Sequence, residues 1–117
     1  MYPESVYGAT KCWAEVLARV YWTQHRLSVI CARICSVRFA QGGDWDPDQP
    51  EDTLSPRDCA QLFLRCVEAE GVEWAIVHGT SRHRNAWMSL DHTTDLVGYQ
   101  PQDGTAFPKT APGGPQR

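Results

Sequence analysis

The two residues in this chain with the most evident chemistry are Tyr7 and Lys11. Side chains four residues apart on an α-helix lie on one face, so the phenol and the ammonium would be neighbours. Free tyrosine, with a pKa of about 10, is a weak base at neutral pH, and a nearby ammonium favours its phenolate form. A phenolate can take a proton from an alcohol while hydride leaves the same carbon. Many Tyr/Lys pairs with this spacing are only surface neighbours. The spacing therefore indicates a catalytic pair only when the surrounding residues support that function.

The elements that must position this pair follow from the pattern of apolar residues. A helix is predicted from Ser5 to Gln24, with a wide apolar face that would pack on both a sheet and another helix. The apolar, β-branched run from Leu27 to Ile34 predicts a buried strand. The polar stretch from Arg38 to Thr53 predicts a long loop.

A second helix and a second strand follow that loop. Ser55, Pro56 and Asp58 predict the N-cap, N1 and N3 positions of the helix, and Gly71 its end. Its predicted buried face consists of Ala60, Phe63, Leu64, Cys66 and Val67. The residues from Glu73 to His78 predict a strand parallel to the first, and those from Ser89 to Leu96 a short helix.

Four segments of the chain together resemble one family. They read YGATK at 7–11 with Ala14-Glu15 after it, VICARICS at 29–36, LSPRDCAQL at 54–62 and GYQPQD at 98–103. The first is similar to the Tyr-Gly-x-Ser/Thr-Lys-x-x-x-Glu segment of extended short-chain dehydrogenases/reductases, the NAD-dependent epimerase/dehydratase family. The second is similar to that family's strand ending in Arg-Ile-Gly-Ser. The last two resemble segments of uronate dehydrogenases and archaeal sugar dehydrogenases.

The resemblance implies a role for each matching position. Tyr7 would be the catalytic acid/base, and Lys11 would hold the nicotinamide ribose and tune Tyr7. Ile34 and Cys35 would border the nicotinamide, and Ser36 and Arg38 the substrate. The implied cofactor is NAD, with NADP as the alternative, and the implied substrate is a sugar or sugar acid. The helix carrying Tyr7 and Lys11 would form a homodimer. Independently, ligands of open α/β sheets bind beyond the carboxyl ends of the strands, which also suggests that His78 to Ser81 line the pocket.

The chain also departs from the family pattern. Cys35 stands where the family has glycine, and no Gly-rich strand-to-helix turn for a pyrophosphate occurs in the 117 residues. The predicted fold is therefore α/β, the C-terminal part of a Rossmann-type doubly wound parallel sheet without its Gly-rich nucleotide-binding half. Residues 1–104 would form that half-domain, and 105–117 a disordered tail.

Two residues have a structural interpretation beside the functional one. Arg33, inside an apolar strand, could be a buried structural ion-pair partner rather than a substrate ligand. Ser36 could cap a turn rather than contact the substrate.

Three functions remain open from the sequence. The leading hypothesis is an NAD-dependent sugar or sugar-acid dehydrogenase that uses the Tyr/Lys pair and needs its nucleotide-binding half. The alternatives are a non-catalytic remnant or dimerisation module, and an NAD-dependent sugar-nucleotide epimerase/dehydratase.

Composition excludes several other classes. A net charge of −3 with both signs scattered along the chain gives no basis for nucleic acid or an anionic membrane as a partner. No apolar run is long enough to span a bilayer, and no export signal is evident, so a cytoplasmic location is expected. Five cysteines without C-x-x-C spacing indicate buried thiols rather than disulfides, and the four histidines have no metal-ligand spacing, so no metal is expected.

Overall fold

The computed structural model describes residues 2–38, 53–83 and 86–104. The predicted tail at 105–117 and the interior of the predicted loop at 38–53 lie outside the described residues. Within these ranges three helices and four strands form an α/β arrangement: α1 Val6–His25, β1 Val29–Ile34, β2 Ser36–Val37, β3 Thr53–Leu54, α2 Pro56–Glu68, β4 Trp74–Gly79 and α3 Asp91–Val97. The predicted elements are therefore all present, with bounds shifted by one or two residues at most ends.

Helix α1 begins and ends with identifiable caps. The Ser5 hydroxyl accepts a hydrogen bond from the Gly8 N–H at 3.0 Å, and Arg26 ends the helix in the left-handed region with φ of 56°. A turn of only three residues then leads into β1, so α1 runs back along the strand. As a result, the beginning of α1 lies beside the carboxyl end of β1.

The main sheet consists of β1 and β4, which pair in parallel with Val29 opposite Trp74 and Ile34 opposite Gly79. This confirms the predicted parallel pairing of the two longer strands. The much shorter β2 and β3 form a second parallel pair. Gly79 allows close packing here, because a Cβ atom at this position would collide with the Leu62 side chain of α2.

Helix α2 begins as the sequence predicts. The Ser55 side chain accepts a hydrogen bond from the Asp58 N–H at 3.0 Å, and Pro56 is the first helical residue. The helix ends at Glu68, earlier than the predicted stop at Gly71, which has φ of 71° in the turn that follows. The core lies between α2, α3 and the sheet, where Leu62, Val97 and Tyr99 are buried against Ile30 and Ala32 of β1.

Of the predicted buried face of α2, Cys66 packs against the core, whereas the prediction is wrong for the other four residues. Leu62 is fully buried, whereas Phe63, Leu64 and Val67 are exposed. Two apolar rows occupy different sides of this helix, and the one that contains Leu62 meets the sheet. Helix α1, unlike α2, buries none of its residues completely, although it packs on β1 and β4.

Candidate active-site groove

A groove of about 650 Å³ separates α1 from β1. Tyr7 and Lys11 line it from the first turns of α1, and Ile34 lines it from the carboxyl end of β1. The short turn between α1 and β1 causes this meeting, since it folds the strand back along the helix. The structure therefore brings three of the predicted site residues to one place.

The phenol and the ammonium are neighbours, as their spacing predicts. The Lys11 Nζ lies 5.1 Å from the centroid of the Tyr7 ring. Tyr7 is 71% exposed, so its hydroxyl is open to a ligand in the groove. Among the described residues Lys11 has no carboxylate partner, and its three N–H donors can serve hydroxyl groups of a ligand.

The groove wall contains an ion pair between Glu15 and Arg33. The Arg33 Nε and Nη2 donate to the two carboxylate oxygens of Glu15, each at 2.7 Å. The hydrogen bonds from Arg33 lower the pKa of Glu15, and those same bonds raise the pKa of the guanidinium. The structure thus confirms the ion pair predicted for Arg33 but not its burial, because 41% of the side chain is exposed. A bidentate pair of this kind is geometrically rigid.

Sequence reasoning assigned no role to Glu15, although it lies four residues after Lys11 on the same helix face. The strand pattern could have indicated a partner for Glu15. Cys31 and Arg33 are two residues apart on β1, so both side chains lie on the same face of the sheet, the face toward α1. Both do line the groove. Burial raises the pKa of the Cys31 thiol, and the nearby Glu15 carboxylate adds to that effect.

The other predicted site residues lie elsewhere. Cys35 is buried, with its Sγ 4.0 Å from the Met88 Sδ, and it does not line the groove. The side chain that replaces the family's glycine therefore packs against Met88 and does not line the groove with Tyr7 and Lys11. Ser36 and Arg38 are exposed, and the Arg38 N–H donates to the Leu54 carbonyl at 3.3 Å.

A second cavity, of about 270 Å³, lies beyond the carboxyl end of β4. Its lining includes Thr80, Ser81, His83 and Met88, but neither Tyr7 nor Lys11. The structure thus places Thr80 and Ser81 at a cavity of their own, and a role for His78 to Ser81 in the pocket of the Tyr/Lys pair stays a prediction. Within the same residues no group of three or more His, Cys, Asp or Glu side chains is placed to hold a metal ion. Likewise, no described helix is long and apolar enough to cross a membrane.

No known family profile matches the chain. Similarity to individual proteins is clear, however. An NAD-dependent glucose-6-phosphate dehydrogenase from Haloferax volcanii is 34% identical over 105 residues, which cover 89% of this chain and 39% of that protein. Uronate dehydrogenase from Pseudomonas putida is 32% identical over 109 residues, covering 88% of this chain and 37% of that protein.

The fold agrees with the sequence comparison. The crystal structure of a glucuronic acid dehydrogenase from Chromohalobacter salexigens superimposes with a TM-score of 0.73 at 27% identity, covering 88% of this chain and 37% of that one. The chain is homologous to a part of the sugar dehydrogenases. Its α/β fold is a portion of their Rossmann-type sheet, as predicted, and the resemblance to uronate and archaeal sugar dehydrogenases is confirmed.

This homologue of sugar dehydrogenases spans about two-fifths of the length of the curated relatives it matches. The alignment covers nearly nine-tenths of the chain, so the strand β1 that faces Tyr7 and Lys11 lies within the matched portion.

Proposed function

We propose that this chain supplies the proton-transfer half of an NAD-dependent dehydrogenase that acts on a sugar or sugar acid and belongs to the extended short-chain dehydrogenases/reductases. The observation that carries the proposal is the convergence of Tyr7, Lys11 and Ile34 on one groove at the carboxyl end of β1. Three sugar dehydrogenases among the relatives, two of them named for NAD as a cosubstrate, support the reaction class. None of these relatives is named as an epimerase or dehydratase.

The roles follow from the groups present. Bound NAD would supply the hydride acceptor. The Tyr7 phenolate takes the proton from the sugar hydroxyl as hydride leaves the carbon, which balances the oxidation of an alcohol to a carbonyl. The Lys11 side chain, whose Nζ lies 5.1 Å from the centroid of the Tyr7 ring, would donate to the ribose hydroxyls of the nicotinamide. Ile34 would border the nicotinamide from the carboxyl end of β1.

Cys35, Ser36 and Arg38 have weaker support as ligand contacts. Cys35 would reach the cofactor only through its backbone, because its thiol is packed against Met88. Ser36 and Arg38 are exposed beside the strand end and can meet a sugar that enters from that side. We retain both as substrate contacts, with NADP as an alternative to NAD.

We also propose that a second copy of the chain packs on α1. Trp13, Val16 and Val20 form an exposed row at helical spacing on this helix. Such a row is the one-sided apolar surface that two antiparallel helices bury between them. The five cysteines are all free thiols, which suits a reducing compartment, so we place the protein in the cytoplasm.

A chimera tests the proposed reaction. This chain replaces the matching segment of the Pseudomonas putida uronate dehydrogenase, and NAD reduction is followed at 340 nm with glucuronate, glucose-6-phosphate and arabinose. We expect activity on at least one of them, with Tyr7→Phe lowering kcat by about 10²- to 10⁴-fold because the proton acceptor is lost. Tyr2→Phe, at a fully exposed position, is the matched control.

Two outcomes would contradict the proposal. One is a folded chimera that reduces no NAD on any of the three sugars. The other is an active chimera in which Tyr7→Phe performs as well as Tyr2→Phe. Conversion of a sugar nucleotide without net NAD reduction would favour the epimerase alternative.

A further inference from the structure

A third cavity, of about 360 Å³, lies between α2 and the segment that follows α3. Gln61 and Arg65 line it from α2, Arg82 lines it from the segment after β4, and residues 98 and 100–102 complete the wall. It shares no lining residue with the groove that contains the Tyr/Lys pair. Small-molecule sites have volumes of about 300–1,000 Å³, so this cavity is large enough for a small ligand of its own.

The side chains around this cavity are hydrogen-bond donors and include no carboxylate. Two of the lining residues are arginines and three are glutamines, and none of the described residues that line it is an aspartate or a glutamate. One acidic side chain lies nearby, because a Glu68 oxygen is 3.9 Å from the Arg65 guanidinium. Both side chains of that pair are more than half exposed, so the pair is weak and Arg65 can bind a ligand instead.

Arg82 brings an unpaired guanidinium to the cavity. No ion pair among the described residues includes it. Of the carboxylates nearby, that of Asp103 is bonded to Arg57, and that of Asp58 accepts from two backbone N–H groups. The backbone of Arg82 is fixed, because its N–H donates to the Asp103 carbonyl at 2.9 Å, and a Cβ atom on Gly104 would collide with the Arg82 carbonyl.

Gln61 supplies a third donor. Its side-chain oxygen accepts from the Gln100 N–H at 2.9 Å, which leaves the NH₂ end of the amide for a ligand. Arg65 lies four residues later on α2, so the side chains of Gln61 and Arg65 lie on one face of the helix. Two charged donors and one neutral donor therefore surround the cavity, and they come from two separate parts of the chain.

We propose that this cavity binds the phosphate group of a small molecule, with Arg65 and Arg82 as charged contacts and Gln61 as a neutral one. A phosphate ester has three terminal oxygens and up to two negative charges, which is enough for two guanidinium groups on separate elements. A carboxylate has two oxygens, and one guanidinium can satisfy both, as Arg33 does for Glu15. The proposal is independent of the proposed function, because none of the three contacts lines the groove.

Binding should also stabilise the fold. Arg65 belongs to α2 and Arg82 to the segment after β4, so a phosphate bonded to both joins two parts of the chain. A ligand that binds only the folded chain raises its stability as the ligand concentration rises. Phosphate should therefore raise the melting temperature of the 117-residue chain and leave that of Arg82→Gln nearly unchanged.

Isothermal titration calorimetry of the 117-residue chain with inorganic phosphate and with glycerol 3-phosphate, at constant ionic strength, tests the proposal. Each should bind at one site with a dissociation constant of about 1 mM or less, and acetate should bind at least about tenfold more weakly. Arg65→Gln and Arg82→Gln should each weaken phosphate binding by at least about tenfold, because each removes a charge-assisted contact. Arg26→Gln removes the same charge at the exposed end of α1 and should change binding less than about twofold.

Circular dichroism shows whether each variant is folded, and either of the two exposed arginines is sufficient for the test if the other variant unfolds. The proposal is overturned if neither phosphate compound saturates a site, if acetate binds as tightly, or if Arg26→Gln weakens binding as much as Arg82→Gln. It is also overturned if Lys11→Met abolishes binding, because the phosphate then lies in the groove. Tighter binding of glycerol 3-phosphate supports an ester as the ligand, and tighter binding of inorganic phosphate supports the free ion.

Discussion

The ion pair between Glu15 and Arg33 leaves the wall of the groove that contains Tyr7 and Lys11 without a net charge. Its two hydrogen bonds, each 2.7 Å, join one cation to one anion, so the pair adds no net charge to the wall. The neighbouring Cys31 thiol has a raised pKa and stays protonated at neutral pH. Lys11 is consequently the positive charge that a phenolate or a ribose meets in the groove.

The stability that this pair contributes should depend on pH. Arg33 lowers the pKa of Glu15 in the folded chain below the ordinary value of 4.5. The contribution is therefore complete above about pH 4.5 and is lost as the pH falls through the lowered folded value. Glu15→Gln should cost about 1 kcal/mol in the free energy of unfolding at pH 7, since the Arg33 side chain is partly exposed and screened.

Urea unfolding of both proteins between pH 3 and pH 7 measures that difference. It should shrink toward zero at the acid end, where Glu15 of the parent chain also becomes neutral. The matched control is Glu68→Gln, because Glu68 is exposed and its oxygen lies 3.9 Å from the Arg65 guanidinium. A difference that stays constant over the whole pH range would contradict the assigned ion pair.

Sequence reasoning predicted the residues of this site unevenly. Spacing four apart on a helix was sufficient to make Tyr7 and Lys11 neighbours, because helix geometry alone fixes that contact. The direction of Cys35 was beyond reach, since it depends on where β1 ends and on the packing of Met88, which comes from a distant part of the chain. The alignment of Cys35 with the family's glycine therefore did not indicate on which side of the sheet its thiol would lie.

At the scale of elements, the spacing of apolar residues in α2 did not predict which side of the helix is buried. Phe63, Leu64 and Val67 form a regular apolar row, yet the helix buries Leu62 against the sheet instead. Asp58 explains the choice, because it lies on the same side as Leu62 and its carboxylate is fully buried. A carboxylate can be buried only where several donors reach it, and that requirement fixes the helix rotation.

The donors to Asp58 join the beginning of α2 to the stretch after α3. The Ser81 hydroxyl donates at 2.6 Å, the Gln102 N–H at 2.7 Å and the Asp103 N–H at 3.1 Å. Asp58→Asn replaces one acceptor oxygen by an NH₂ group that confronts one of these donors. We expect a loss of about 2–3 kcal/mol in the free energy of unfolding.

Thermal or urea unfolding at pH 7 measures that loss. Asp95→Asn, at an exposed position of α3, makes the same chemical change and should alter stability by less than about 0.5 kcal/mol. Equal effects of the two substitutions would show that the buried network does not hold α2 in place.

At the scale of the whole molecule, the helices on the two faces of the main sheet differ in how many residues they bury completely. The face with α2 and α3 has a buried core of Leu62, Val97 and Tyr99, whereas α1 on the other face buries no residue completely. The order of elements and the parallel pairing were predictable, because they follow from local patterns and from the need to cover a strand. The exposure of Phe63, Leu64 and Val67 was not, because an apolar row alone does not show which side of a helix meets the sheet.

The affinity of the 117-residue chain for NADH should be low, because the chain offers contacts to only one end of the dinucleotide. The groove offers Tyr7, Lys11 and Ile34 to the nicotinamide end of the cofactor. The pyrophosphate normally binds at a Gly-rich turn that opens a helix, and the 117 residues contain no such sequence. We therefore expect a dissociation constant on the order of 1 mM or weaker, because only part of the dinucleotide is held.

Fluorescence titration of NADH into the chain alone, and into its chimera with Pseudomonas putida uronate dehydrogenase, tests this expectation. The chimera should bind at least about 100-fold more tightly, since the two halves of the cofactor site are then joined in one pocket. Lys11→Met should weaken NADH binding to the chimera, whereas Lys109→Met, outside the described residues, provides a control of equal charge. Saturable micromolar binding to the chain alone would mean that its own residues hold the pyrophosphate, and that the groove at Tyr7 is not the main cofactor contact.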